Sequence, residues 1–188
     1  MEVPAGGIPG AHRSLIERMI GAAMLNPSVY EEVEADRGAT GQAAAVVAIV
    51  AVCSAIGNMG HGGSGPVGAI ILAFISWLLW AGLTYVVGTK LFGGTADMGE
   101  MLRTLGFAQS PGVLAIIGII PFLGRIAVFL VGIWILVAAV VAIRQALDFD
   151  TGKAVATAVI AWVVVMAVTA VFVLFIFGTA LAVGSLAR

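Results

Sequence analysis

The side chains that could do chemistry in this chain are few, and most are charged. Its 188 residues hold 9 Lys and Arg, 10 Asp and Glu, 2 His and a single Cys. Catalysis would need such residues in constellations. A nucleophile needs an adjacent base, and a bound metal needs Cys, His or carboxylate ligands at fixed spacings. A phosphate cradle needs a glycine-rich loop opening a helix. None of these patterns appears. Cys53 stands alone inside an apolar run, with no thiol to pair with. His12 and His61 are far apart in Gly-rich or polar surroundings, and we read them as solvated loop residues. The expectation is a protein that is not an enzyme, with no catalytic residue, cofactor or metal.

The charges gather instead around the ends of long apolar runs: Glu31, Glu32, Glu34 and Asp36, then Glu100 and Arg103, then Arg144, Asp148, Asp150 and Lys153. Opposite charges brought to one membrane surface attract. They could staple the segment before the first run to two later loops, or form a docking face for a partner. The candidate interaction face is Tyr30, Glu31, Glu34, Glu100, Arg103, Arg144 and Lys153. Exposed pairs add only about 0–1 kcal/mol each, so such a cluster sets orientation more than stability. One polar feature lies deep within an apolar run: Gln109, Ser110 and Pro111. Proline has no N–H and so frees the Phe107 carbonyl, which Ser110 or Gln109 could satisfy. This is either a satisfied kink or a hinge beside a polar cavity.

The elements that position these residues are apolar. The chain is 61% hydrophobic and 10% charged, with a mean hydropathy of +1.13. Soluble domains carry about 25% charged residues, and a water-exposed surface this poor in charge would aggregate. The net charge of −1 offers no basic field, so nucleic acid is excluded as a partner. The first ten residues contain no basic residue, unlike the start of a secretory signal peptide, so the first span is expected to drive insertion.

Leu15, Ile16, Met19, Ile20 and Ala23 share one helical face and Arg13, Glu17 and Arg18 another, which predicts an amphipathic helix over about 13–25. It would lie along the membrane interface with its apolar side in lipid, or pack on the protein's own loops. Asn26 as cap and Pro27 at the first helical position open an acidic helix over 27–36. Five spans follow, at about 39–59, 66–87, 97–120, 125–147 and 153–182. Asp97 and Glu100 have the spacing of a capping box, and Pro111 predicts a kink near 107–111. Trp77 and Trp80 fall mid-span and read as helix-packing residues. Gly178 with Ala182, and Ala138 with Ala142, have the small-xxx-small spacing that permits close helix approach. The fold class is thus an all-α membrane protein: a five-transmembrane-helix bundle preceded by a short amphipathic interfacial helix. A segment spanning hydrocarbon must satisfy its own backbone, which a helix does.

Positive residues mark the cytoplasmic side. Arg13, Arg18, Arg37, Lys90, Arg103, Arg144 and Lys153 fall on one side, against only Arg125 and Arg188 on the other. This predicts a cytoplasmic N-terminus and an external C-terminus; the Ala-, Val- and Gly-heavy composition fits a GC-rich bacterial genome, and so a bacterial plasma (inner) membrane.

Three segments carry a resemblance: NPSVYEEVEAD (26–36), VVGTKLFGGTADMGEMLRTLGFAQSP (86–111) and WILVAAVVAIRQALDFDTGKAVATAVIAW (134–162). Together they resemble the prokaryotic branch of the Yip-domain family, named for Ypt/Rab-interacting proteins, over about 25–177. The resemblance implies five membrane helices and a cytoplasmic N-terminus. Eukaryotic members are associated with Golgi and endoplasmic-reticulum traffic and with Rab-type GTPases. This chain has neither their long N-terminal region nor their Asp-Leu-x-Gly-Pro motif, which argues against a Rab-type GTPase partner. The expected function is a non-enzymatic scaffold or adaptor. Its partners would be membrane lipids and other membrane proteins or a second copy of itself. It could serve as an accessory subunit of a membrane complex or organise membrane shape or traffic. The alternative is a small-solute transporter or channel gated at the Pro111 kink.

Overall fold

Long apolar runs can hide their backbone polar groups from lipid only by coiling, and they do so throughout. The computed structural model describes residues 13–59 and 65–186, with side chains through 168. His12, His61, Arg188 and the side chains of Gly178 and Ala182 lie outside that description. The chain runs α1 (Leu15–Ala23), α2 (Pro27–Ala35), α3 (Ala39–Gly57), α4 (Gly65–Phe92), α5 (Met98–Ala108), a 3₁₀ helix (Ser110–Ile119), α6 (Leu123–Ala146) and α7 (Thr151–Leu186). Five stretches are long and apolar enough to cross a membrane: α3, α4, Met98–Ile119, α6 and the Thr151–Val168 part of α7. The protein is a multi-pass integral membrane protein.

Local sequence sets the boundaries. Ser14 and Glu17 form a capping box on α1, and Asp97 and Glu100 form the one their spacing predicts on α5. Asn26 accepts from the Ser28 N–H at 3.1 Å, with Pro27 opening α2. Leu25 and Asp148, with φ of 60° and 54°, end α1 and α6 in left-handed turns. In each turn the residue after them reaches back to a carbonyl of the last helical turn.

Small and β-branched residues form the bundle's interior: Ala43, Val46, Val47 and Val50 on α3, and Ala138, Ala139, Ala142 and Ala146 on α6. Ala138 and Ala142, one small-xxx-small pair, are both fully buried. Trp77 is buried on α4, donates to the Leu102 carbonyl at 3.1 Å and meets Phe74 edge-on. Ile71, Leu72, Ile75 and Leu79 on α4, and Ile126, Phe129, Leu130 and Ile133 on α6, face outward.

The third span departs from a simply kinked α-helix. α5 stops at Ala108, and the chain continues as 3₁₀ helix for ten residues. Such runs rarely exceed 3–4 residues, and here packing holds one in place. A Cβ on Gly57 would sit 2.0 Å from the Ala115 carbonyl oxygen, and one on Gly112 would sit 2.5 Å from Val50 Cγ1. α3 and the 3₁₀ helix are thus pressed backbone to backbone. A second close approach joins Gly118 and Gly124, where a Cβ would lie 2.6 Å from the Gly118 carbonyl oxygen.

Candidate functional site

The charged residues converge where α2 packs on α5 and on the C-terminal end of α6. α2 lies against α5 and α6. Its apolar side, Val29, Tyr30 and Val33, is buried, which leaves Glu31 exposed and Glu32 and Glu34 half-buried. Tyr30 belongs to the predicted face, but it is fully buried and donates its hydroxyl to the Ala22 carbonyl at 3.0 Å. It ties α2 to α1 and is not open to a partner.

Arg103 is also nearly buried. Its Nε donates to the carbonyls of Val33 and Glu34, each at 3.0 Å, and a terminal nitrogen donates again to Glu34. These carbonyls belong to the last turn of α2, which has no intrahelical donors left for them. A cation there also complements the helix dipole. Arg103 therefore caps α2 through its backbone.

Glu34 meets mostly like charge. Burial pushes its carboxyl up, Glu100 and Asp148 push it further, Arg103 opposes them, and Glu31 adds to the rise; the result is a pKa of about 7. Glu100 is held by its capping box, accepting from the Asp97 N–H at 2.7 Å. Arg144 donates to Gln145 at 3.0 Å, and Gln145 donates to Glu31 at 2.8 Å, so Arg144 reaches α2 only through its neighbour. The Lys153 ammonium lies 5.5 Å from the centre of the Phe149 ring. Asp148 accepts from Thr95 at 3.0 Å. The structure thus joins Glu31, Glu34, Glu100 and Arg103, with Arg144 at one remove and Lys153 outside.

The residue that sequence reasoning misplaced is Arg18, assigned to the polar face of α1. It is fully buried. It donates to Glu32 at 3.0 Å, to Asp36 at 2.8 Å and to Gln42 at 2.8 Å. Arg13 pairs with Glu32 from the rim. Two carboxylates and an amide surround one guanidinium, which is the arrangement that makes burying an arginine tolerable. The available signal was its spacing to Ala22 on the face opposite Ile16 and Ile20.

At the third span, the Ser110 hydroxyl donates to the Phe107 carbonyl at 2.6 Å. Ser110 and Pro111 are buried, and Gln109 is half-buried at the C-cap of α5. The carbonyl that Pro111 cannot serve is served by its neighbour. Among the described residues no group of His, Cys, Asp and Glu could hold a metal ion.

No curated protein and no solved structure is detectably similar to the chain. The sequence model of the Yip1 domain matches residues 22–183, from the end of α1 through most of α7. That match takes in α2, all five spans and the polar cluster between them, and by it the chain belongs to the Yip1-domain family.

Proposed function

We propose that the chain is a non-enzymatic membrane scaffold or adaptor, which binds another membrane protein or a second copy of itself through the face around Glu31, Glu34 and Asp148. One observation carries this reading. Glu34 is ringed by Glu100, Asp148 and Glu31, while the nearest cation, Arg103, spends its donors on backbone carbonyls. Carboxylates without enough cations favour a basic segment supplied from outside. Purification in mild detergent, followed by mass spectrometry, should recover a stoichiometric partner or a self-oligomer. Glu31→Lys combined with Asp148→Lys should release it. A monodisperse monomer with nothing bound would remove this reading.

The face would lie in the cytoplasm, on the bias of positive residues towards this side, and the membrane would be a bacterial plasma membrane, on the resemblance to the prokaryotic branch of the family. In a Cys53→Ser background, an impermeant maleimide added to intact cells should label Phe122→Cys and spare Asp150→Cys. The reverse pattern would invert the topology. The ten-residue 3₁₀ stretch favours a second reading, a solute path opened at Pro111. Solute flux in proteoliposomes that is unchanged by Pro111→Ala would remove that one.

A further inference from the structure

The C-terminal end of α1 is not placed where an interfacial helix would put it. The Ala23 carbonyl accepts a hydrogen bond of 2.8 Å from Trp134 Nε1. Trp134 lies near the middle of the 24-residue α6. It is twelve residues from Ala146, or about 18 Å at 1.5 Å per residue. One leaflet's share of a hydrocarbon core about 30 Å thick is about 15 Å. α1 also touches the 3₁₀ helix, which forms the far part of the third span. The α1–α2 hairpin therefore reaches down beside the spans instead of resting on top of them.

Its chemistry suits that depth. A helix end in water leaves its last carbonyls to the solvent; in hydrocarbon each would need a partner within the protein. Here Ile20 accepts from Met24 N–H, Gly21 from Asn26 N–H, Ala22 from Leu25 N–H and the Tyr30 hydroxyl, and Ala23 from Trp134. The Ser28 N–H and hydroxyl both turn to the Asn26 side chain. Arg18, the one charge on α1's inner face, is buried and neutralised. The outer face presents Ile16, Ile20 and Met24, which are 68%, 55% and 74% exposed and four residues apart. This stripe continues the outward apolar surface of the spans, where α6 shows Phe129, Leu130 and Ile133.

We propose that the C-terminal half of α1 and its turn into α2 are embedded among the acyl chains of one leaflet, the one on the N-terminal side, with Ile20 and Met24 in direct contact with lipid. Among the described residues, that leaflet then holds an extra helix, about 10–12 Å across, and the other holds none: a one-sided wedge. The proposal does not depend on any protein partner docking at Glu34.

Nitroxide spin labels on single cysteines in a Cys53→Ser background, reconstituted in phosphatidylcholine vesicles, test it. Labels at Ile20→Cys and Met24→Cys should collide with oxygen and be shielded from a water-soluble nickel chelate, as a label at the span residue Ile133→Cys should be. A label at Glu17→Cys should meet the chelate freely. Nickel access at Met24→Cys equal to that at Asp150→Cys would place the stripe in water and overturn the proposal. Shielding from both reagents, with disulfide cross-linking between chains at Met24→Cys, would put a second copy there and overturn it equally. The wild-type fold is checked in each variant by retention of a monodisperse profile. Should Met24→Cys fail that check, Ile20→Cys on the same stripe gives the same readout.

Discussion

At the end of the bundle where the chain begins, side chains do the fastening: Arg18 gathers Glu32, Asp36 and Gln42, Arg103 caps α2, and Trp134 and Tyr30 tie down the last turn of α1. At the opposite end the fastening is done by missing side chains. Gly57, Gly118 and Gly124 let α3, the 3₁₀ helix and α6 meet backbone to backbone. Lipid offers helices no hydrophobic incentive to associate, which leaves van der Waals packing and hydrogen bonds. This protein uses one at each end. The polar end can hold a short hairpin that lacks the area to bind by packing alone, and the glycine end can hold a 3₁₀ stretch that its own hydrogen bonding would not favour.

The largest effect should come from Arg18→Met. It strands two carboxylates beside a buried site, and breaking such a pair costs about 3 kcal/mol or more. The loss should appear in thermal unfolding in detergent and as faster proteolysis around 24–28. Arg13→Met, at a side chain 40% exposed, should cost no more than about 1 kcal/mol. Equal losses would erase the distinction between buried clamp and rim.

Next comes Gly57→Ala, whose new methyl would meet a backbone oxygen at 2.0 Å that cannot turn aside. A cost of about 1–3 kcal/mol is expected for such overpacking. Gly132→Ala on α6, with nothing within 4 Å, should be neutral or gain up to about 1 kcal/mol of helix propensity. If both behave alike, close approach is not what holds the glycine end. Ser110→Ala should cost about 1–2 kcal/mol by orphaning the buried Phe107 carbonyl. Pairing it with Pro111→Ala, which returns an N–H, should recover part of the loss.

The smallest effect is one of pH. Glu34 binds its proton more tightly in the folded protein, with a pKa of about 7 against an ordinary 4.5. Between those values the folded state holds more protons than the unfolded one, so stability falls as pH rises through this window and is level above it. Glu34→Gln should flatten the slope of melting temperature against pH, and a slope unchanged in Glu34→Gln would assign it elsewhere.

The spans were legible because hydrophobic length is a local property, and the capping box of Asp97 and Glu100 because its partners are three residues apart. The setting of α1 was not. A helical wheel sends charge outward, but the groups that draw Arg18 inward lie 14, 18 and 24 residues along the chain. Trp134 is 111 residues from the carbonyl it serves, and nothing in an apolar run marks one tryptophan as a donor to a distant helix. Pro111 announced a break, yet the length of the 3₁₀ helix depends on contacts with Gly57 and Val50 that no local pattern encodes. Lys153 was grouped with the acidic residues by sign alone, whereas its nearest stabilising surface is a ring four residues away.

The partners of Arg18 all precede residue 43. They leave the ribosome before any later span does, so the arginine can be neutralised while the first span is still entering the membrane. Arg103, Trp134 and Gln145 arrive afterwards and lock a hairpin that is already assembled. Biogenesis is then ordered from the N-terminus. In chains arrested just after the first span, the buried position probed by Ala22→Cys should already be shielded from alkylation, and less so when Glu32→Ala and Asp36→Ala remove the partners of Arg18.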